Sequence, residues 1–186
     1  MKVELRHIYK RFGSVQANRD VSLSIESGAI HGVLGENGAG KSTLMKVLSG
    51  LLSADSGEVL LDGCVVRLRS PSEAVAAGVG MLHQDPLDFP SLPVLDSGLL
   101  GCRRVAPSRK RAVRELERLA TQFDFRLDPF ASVSSLSLGE RQQLELLRLL
   151  WLGVRTLILD EPTSAISPLQ RDKLFMALRK IALHKV

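Results

Sequence analysis

The chain has 186 residues, of which 45% are apolar and 24% are charged. This composition suffices for one buried core and excludes an intrinsically disordered chain. The 25 lysines and arginines exceed the 20 acidic residues and give a net charge of +5, which favours an anionic ligand without establishing nucleic-acid binding. The two cysteines, Cys64 and Cys102, stand far apart, which argues against a disulfide scaffold and a structural zinc site.

The sequence has no segment of the kind that crosses a membrane. No apolar run approaches the roughly 18–20 residues that a transmembrane helix needs. Charged residues occur all through positions 1–12, where a signal peptide would need an apolar centre. We therefore expect a soluble protein of the cytoplasm, whose membrane role, if it has one, comes through a partner.

The first strands are indicated by alternating apolar residues. This alternation occurs at Val3 and Leu5 and again at Val21, Leu23 and Ile25. A period of two is typical of half-buried strands, so both segments are predicted to be strands.

A strand–loop–helix unit follows. The apolar segment Ile30–Leu34 is predicted to form a short strand that enters a glycine-rich loop, and a helix is predicted from Ser42 to near Gly50. Further on, Glu58–Leu61 is followed by the turn dipeptide Asp62-Gly63, which predicts a hairpin. The first third of the chain thus combines antiparallel strands with this unit.

The second half of the chain is mainly helical in pattern. The proline-rich stretch from Pro86 to Pro107 has no sustained period and is predicted to be a surface connection. A helix follows, with one apolar face formed by Val113, Leu116, Leu119, Ala120 and Phe123. Its other face is basic and carries Arg109, Lys110, Arg111, Arg114 and Arg118.

Three further elements are expected towards the end of the chain. A helix is predicted from Gly139 to about Leu152, and a buried strand over Thr156–Leu159. A last helix from about Pro168 places three apolar residues on one face, namely Leu174, Leu178 and Ile181.

The glycine-rich loop fits the pattern G-x-x-x-x-G-K-[ST], as Gly35-Glu36-Asn37-Gly38-Ala39-Gly40-Lys41-Ser42. The glycines let the backbone wrap closely around a polyphosphate, and the following helix adds the positive end of its dipole. Lys41 is expected to reach the β- and γ-phosphates, and the Ser42 hydroxyl to hold Mg²⁺. A chance match is expected in roughly one chain of this size in a hundred, so the loop predicts nucleotide binding.

The predicted strand over Thr156–Leu159 ends in two carboxylates, Asp160 and Glu161. Two adjacent acids at the end of a buried strand are costly unless a cation meets them. Beside a phosphate loop that cation is Mg²⁺, held by Asp160 directly or through water, and Glu161 is expected to polarise the attacking water. The alternative is a plain strand end followed by a turn at Pro162.

The motifs occur in the order typical of one family. The loop corresponds to a Walker A sequence, and Leu157–Glu161 resembles Walker B. Between them, Leu136-Ser137-Leu138-Gly139-Glu140-Arg141-Gln142 is similar to the signature motif of the ATP-binding subunits of ABC transporters. Gln84 stands where that family has its Q-loop glutamine, and Phe12, 29 residues before Lys41, matches the aromatic residue that stacks on adenine. The resemblance covers nearly the whole chain.

The resemblance implies a fold and a set of ligand contacts. The fold is α/β, a P-loop NTPase core with an antiparallel β-subdomain and a helical subdomain at about 86–152, within one domain over 1–186 whose C-terminal part is missing. ATP and Mg²⁺ are the implied ligands. The nucleotide contacts would come from Phe12, Gly35, Glu36, Asn37, Gly38, Ala39, Gly40, Lys41, Ser42, Thr43, Ser137 and Gly139. Mg²⁺ would be held by Ser42, Gln84 and Asp160, and the catalytic residues would be Glu161, Lys41 and Gln84.

The resemblance also implies partners. ABC ATPase domains pair head to tail, so Ser137 and the backbone of Gly139 would touch the γ-phosphate bound by a second ABC ATPase domain, either an identical copy or a paired domain. Ser137 also suits the cap of the following helix, and the two roles are compatible. Membrane permease subunits would be the direct partners and a substrate-binding protein an indirect one. The chain would then lie on the inner face of the cell membrane.

Parts of the motifs narrow the resemblance to importers of simple sugars and nucleosides. These parts are Gly78–Gln84, Leu138–Gln143 and the loop Ser164–Pro168. In that loop Ser167 replaces the usual aspartate, and Leu138 replaces the commonest glycine of the signature.

The end of the chain departs from the family pattern. A switch histidine is expected about thirty residues beyond Walker B, but 25 residues follow Glu161, and His184 lies too early. The sequence therefore resembles a truncated domain, which we expect to bind ATP weakly and to turn it over poorly.

Two alternatives stay open. One is a nucleotide-binding remnant without turnover. The other is a soluble, non-transport ABC ATPase, which the 53-residue spacing from Gln84 to Ser137 disfavours. No nucleic-acid partner is expected, because aromatic residues are only 4% and none interleaves with the basic helix. A solvated face is the preferred interpretation of those arginines, ahead of an attraction to anionic lipid.

Overall fold

The computed structural model describes residues 1–83, 89–101, 108–162 and 167–183. Within these ranges the strands are β1 Val3–Phe12, β2 Val15–Ile25, β3 Ser56–Leu61, β4 Cys64–Val66, β5 Val79–Leu82 and β6 Thr156–Leu159. The helices are α1 Lys41–Leu48, α2 Pro71–Ala76, α3 Val94–Gly98, α4 Arg109–Gln122, α5 Leu138–Trp151 and α6 Pro168–Leu183.

The residues divide into two compact units. The first, here called the sheet unit, contains Met1–Met81, Val154–Ile158 and the end of α6 from Ile181. The second, the helical unit, contains Leu82–Gly153 and Leu159–Lys180.

An antiparallel sheet of order β2-β1-β3-β4 forms most of the sheet unit. Val3 pairs with Ile25 on one side and with Leu61 on the other. Asp62 and Gly63 have φ of 48° and 82°, the pair of positive values that a two-residue hairpin turn requires. The two strands predicted from the alternation and the predicted hairpin are therefore confirmed.

Helix α1 closes the core of the sheet unit. Its buried residues Leu44, Val47 and Leu48 belong to one apolar cluster with Val3 and Leu5 of β1. Burial of each such side chain contributes about 1.5–3 kcal/mol to the stability of the fold. Packing against the sheet therefore fixes the position of α1. The helix predicted after the glycine-rich loop is confirmed, and it ends before Gly50.

The strand predicted over Ile30–Leu34 is not formed. In the described part of the chain this segment has no ladder partner, and Ile30 and Leu34 are 65% and 94% exposed. An apolar composition yields a strand only where a neighbouring strand supplies hydrogen bonds. Strands β5 and β6 pair with each other instead.

The β5–β6 pair is parallel. The backbone N–H of Thr156 donates to the carbonyl of Gly78 at 2.9 Å, and that of Asp160 donates to the carbonyl of Leu82 at 3.3 Å. The partners advance in the same direction along both strands, as parallel pairing requires. The predicted strand over Thr156–Leu159 is thus confirmed.

Helices α4 and α5 match the predictions closely. Helix α4 buries Leu116, Leu119 and Ala120, with Phe123 just beyond its end. Val113 is only half-buried, and Ala112 takes its place in the core. Helix α5 begins at Leu138 and ends at Trp151, one residue before the predicted bounds at each end.

The proline-rich connection was predicted wrongly for its middle part. Helix α3 lies there, and Val94 and Leu95 are fully buried. Five helical residues are too few to show a period in the sequence, so the helix left no signal.

Helix α6 confirms its predicted apolar face, because Leu174, Leu178 and Ile181 are all buried. Among the described residues, no helix is long and apolar enough to span a lipid bilayer.

Candidate nucleotide-binding site

The glycine-rich loop exposes its backbone in the sheet unit. Residues 35–39 are exposed, and Gly38 and Gly40 have φ of 83° and 84°. Gly40 is the residue before α1, and no side chain caps this helix. The first N–H groups of an uncapped helix attract an anion, which suits the phosphates of a nucleotide.

Lys41 lies across its own loop. Its Nζ donates to the carbonyl oxygens of Gly35 at 2.7 Å and Glu36 at 2.8 Å. The neighbouring Ser42 is exposed and Thr43 is half-buried. The loop therefore carries an ammonium group and, at the next residue, an exposed hydroxyl. Their contacts with phosphate and Mg²⁺ stay predictions.

Asn18 supports this loop from β2. Its Nδ2 donates to the carbonyl of Gly40 at 3.2 Å, and the residue is 4% exposed. Its Oδ1 is buried without a hydrogen-bond partner among the described residues. Asn18 is not among the residues that the sequence predicts for the site, because a polar residue within a strand gives no signal of a contact with a distant loop.

Replacement of Asn18 by leucine is expected to weaken ATP binding about fivefold, since a neutral hydrogen bond contributes roughly 0.5–1.5 kcal/mol. Stability should not fall, because the change also removes a buried, unpartnered acceptor. Isothermal titration with ATP and thermal unfolding measure the two effects, and Ser24→Leu on the exposed side of β2 is the control. Unchanged ATP affinity in Asn18→Leu would show that the loop needs no support from β2.

Phe12 stands at the end of β1, and 47% of the residue is exposed. Lys10 Nζ lies 5.5 Å from the ring centroid and donates to Asp55 Oδ1 at 2.7 Å. Asp55 Oδ2 accepts from the backbone N–H of Arg11 at 2.7 Å. The Lys10 hydrogen bond, followed by that of Arg11, lowers the pKa of the Asp55 carboxyl. The strand end that carries Phe12 is thus held in place, with Phe12 itself partly exposed.

The acidic strand end follows β6. Asp160 is half-buried and Glu161 is exposed. Glu161 has φ of 46°, a left-handed conformation that costs a non-glycine residue about 1–3 kcal/mol. Such strain is typical of functional positions.

The signature residues begin α5 in the helical unit. Ser137 Oγ accepts from the backbone N–H of Glu140 at 3.4 Å, and Glu140 Oε2 accepts from the N–H of Ser137 at 2.8 Å. This reciprocal pair is a capping box. Arg141 Nε donates to the carbonyl of Leu136 at 3.2 Å and fixes the residue before the cap. The predicted capping role of Ser137 is confirmed.

The side chains that the sequence assigns to Mg²⁺ are oxygen donors, which is the ligand type that this ion takes. Within the described ranges, no three His, Cys, Asp or Glu side chains come together as a cluster of ligands. Mg²⁺ keeps several waters and takes one or two oxygen ligands besides substrate phosphates. The hydroxyl of Ser42 and the carboxylate of Asp160 are oxygen donors of that kind.

The predicted site residues divide between the two units. Phe12 and the loop residues 35–43 belong to the sheet unit, whereas Ser137, Gly139, Asp160 and Glu161 belong to the helical unit. Gln84 lies outside the described residues, as do Cys102, His184 and positions 164–166 of the loop after Walker B.

The family of this chain follows from its similarity to a known family. The model of a family described as ABC transporter matches residues 18–164 of this chain. The chain belongs to the ABC transporter family. The matched range contains the glycine-rich loop, the signature-like segment and the acidic strand end, which are the three segments that the sequence assigns to Walker A, the family signature and Walker B.

Curated ABC transporter proteins resemble the chain over almost all of its length. The ribose import ATP-binding protein RbsA of Chromobacterium violaceum is 41% identical, with 97% of this chain and 37% of the relative covered. The glucose import ATP-binding protein TsgD13 of Haloferax volcanii is 39% identical (96% and 38%), and the nucleoside import ATP-binding protein NupA of Lactococcus lactis is 35% identical (96% and 36%). The chain spans a little over a third of the length of these relatives.

Solved structures support the fold. An ATP-binding cassette of an ABC transporter in its ADP conformation has a TM-score of 0.88 and 24% identity, with all of this chain and 79% of that chain covered. A dimeric ATP-binding cassette bound to ADP and Pi has a TM-score of 0.79 and 24% identity, with coverage of 98% and 83%. The fold is therefore that of the P-loop ABC ATPases, as predicted.

Proposed function

We propose that this chain is an ATP-binding part of an importer of sugars or nucleosides, which binds and hydrolyses ATP to drive solute uptake through partner permease subunits. The observation that carries the proposal is the geometry of the Walker A loop, where Lys41 and the uncapped start of α1 share an exposed, glycine-rich backbone. The names of the sugar and nucleoside import relatives support the solute class.

The loop residues bind and orient the triphosphate. Lys41 exchanges its two carbonyl partners for phosphate oxygens, and the backbone N–H groups at the uncapped start of α1 would bind the same anion. Phe12 stacks on the adenine ring. Ser42 and Asp160, with Gln84, would hold Mg²⁺, which supplies positive charge against the phosphates when bound.

Glu161 acts on the attacking water. A carboxylate at this position accepts the water proton as the oxygen approaches the γ-phosphate, which is general-base catalysis. The left-handed backbone of Glu161 ends the extended course of the strand at this residue.

A second ABC ATPase domain completes the proposed mechanism. Ser137 and the N–H of Gly139 would meet the γ-phosphate held by that domain, in a head-to-tail pair. The pair would be bound to permease subunits at the inner face of the cell membrane, with a substrate-binding protein as an indirect partner and no nucleic acid involved.

ATP affinity tests the proposal directly. Titration calorimetry with ATP and Mg²⁺ should show binding to the chain, and Lys41→Met should weaken it roughly 10–100-fold, because a charge-assisted hydrogen bond contributes about 1.5–3 kcal/mol. Lys46→Met, which removes the same charge from an exposed position of α1, is the matched control. Absence of ATP binding by the parent chain would refute the proposed function.

A further inference from the structure

The start of α6 is stabilised by the side chain of Gln170. Its Oε1 accepts from the backbone N–H of Ser167 at 3.0 Å, while Ser167 Oγ accepts from the N–H of Gln170 at 3.3 Å. Pro168 occupies the first helical position between them. The segment is therefore a capping box, with proline where a helix tolerates it.

The same carboxamide reaches the signature motif. Gln170 Nε2 donates to Ser137 Oγ at 3.3 Å. The hydroxyl of Ser137 donates to Glu140 Oε2 at 2.7 Å and accepts from the N–H of Glu140. Ser137 Oγ therefore uses its one proton on Glu140 and both of its lone pairs on N–H donors, which is the full capacity of a hydroxyl group.

Gly139 makes this contact possible. A Cβ atom on Gly139 would lie 2.5 Å from both Cδ and Nε2 of Gln170, well inside van der Waals contact. The carboxamide thus lies flat against the first turn of α5, where only hydrogen stands on the Cα atom. Gly139 is buried by this packing.

We infer that Gln170 is a positioning residue of the signature motif, whose carboxamide fixes Ser137 Oγ for contact with the γ-phosphate of a nucleotide held by a second ATP-binding domain. The inference rests on the proposed function. It links the loop that follows Walker B, through the cap of α6, to the residue that meets the partner's nucleotide.

The chemistry explains why a donor is needed at this place. When Ser137 meets a phosphate, its O–H group must turn from Glu140 Oε2 to a phosphate oxygen, while the oxygen atom of Ser137 can stay in place. The N–H donors from Gln170 and Glu140 hold the oxygen atom in position during that exchange. The side chain of Gln170 is neutral. A glutamate in its place would carry a negative charge and repel the incoming phosphate.

The test uses Gln170→Glu, because this change replaces the N–H donor that faces Ser137 Oγ with a carboxylate oxygen, which is an acceptor. A glutamate keeps the capping box of α6, but it faces Ser137 Oγ with an acceptor where a donor is required. Gln122→Glu on α4 makes the same charge change beside Arg118 and serves as the control. Gln170→Ala, which removes the cap as well, separates loss of the donor from repulsion by the new carboxylate.

The experiment measures dimer formation by chains that also carry Glu161→Gln, in ATP and Mg²⁺, by sedimentation velocity. We expect Gln170→Glu to raise the dimer dissociation constant about tenfold, as the loss of one hydrogen bond at a desolvated contact would. Gln170→Ala should raise it about threefold or more, and Gln122→Glu should leave it unchanged. ATP affinity of the monomer and the midpoint of thermal unfolding should be unchanged in Gln170→Glu.

The outcomes separate this inference from the proposed function. If the parent dimerises with ATP and Gln170→Glu does so equally well, Gln170 merely caps α6 and the inference is wrong. If Gln170→Glu lowers both the midpoint of thermal unfolding and the extent of dimer formation, Gln170 has only a structural role and the inference is also wrong. If the parent binds ATP but does not dimerise, the proposed pairing and this inference both fail.

Discussion

Gly40→Ala is expected to abolish measurable ATP binding and to lower the free energy of unfolding by about 3–5 kcal/mol. A Cβ atom there would lie 2.1 Å from the backbone oxygen of Ala17 and 2.8 Å from Asn18 Nδ2. The first of these atoms belongs to the backbone of β2 and cannot turn away. The start of α1 must therefore move, and its N–H groups move with it. Urea unfolding and ATP titration measure the two effects.

Gly38→Ala is the matched control for this experiment. Gly38 has nearly the same φ as Gly40, 83° against 84°, but a Cβ atom there meets nothing within 4 Å. Only the strain of the left-handed backbone remains, about 1–2 kcal/mol, so this variant should fold and retain ATP binding. Equal losses in the two variants would show that backbone conformation, and not the contact with β2, determines the effect at Gly40.

Glu161→Gln is expected to slow ATP hydrolysis roughly 10²–10⁴-fold, the usual contribution of a general base. Glutamine has the same shape as glutamate, so the left-handed backbone at this position costs both residues the same free energy. ATP affinity should therefore change little. Phosphate release with the protein in excess over ATP measures the chemical step in a single turnover.

Glu117→Gln, an exposed carboxylate change on α4, is the control for general effects of charge. If Glu161→Gln hydrolyses ATP at the parent rate, another group activates the water and the assignment of Glu161 fails. If the parent itself releases no phosphate while it binds ATP, the chain is a nucleotide-binding protein without turnover.

Elements with a clear period were predictable from the sequence. The alternation at Val3 and Leu5 marks β1 because one face of that strand is buried and the other is not. Helix α4 has enough turns for its apolar residues to define a face. The strand predicted over Ile30–Leu34 was wrong because strand formation depends on a neighbouring strand. A local sequence pattern does not reveal whether such a strand lies beside it.

The supports of the candidate site were not predictable in the same way. Walker A is visible because its glycines and Lys41 must be adjacent in sequence. Asn18 meets Gly40 across 22 positions, and Gln170 meets Ser137 across 33. Such contacts depend on how the chain folds back on itself. The cap formed by Ser167 and Gln170 has a recognisable spacing, but its second contact, with the signature, has none.

The position of Lys41 bears on how the loop distinguishes ATP from a nucleoside that carries no phosphate. The ammonium already has two carbonyl oxygens as partners, so a ligand gains only the difference between its own oxygens and those. Phosphate oxygens carry more negative charge than a carbonyl oxygen and therefore replace the carbonyl groups as partners of the ammonium. The hydroxyl groups of a ribose do not. A nucleoside that shares the base and the sugar of ATP therefore leaves the hydrogen bonds of Lys41 unchanged, so this part of the loop selects for the phosphates and not for the rest of the ligand.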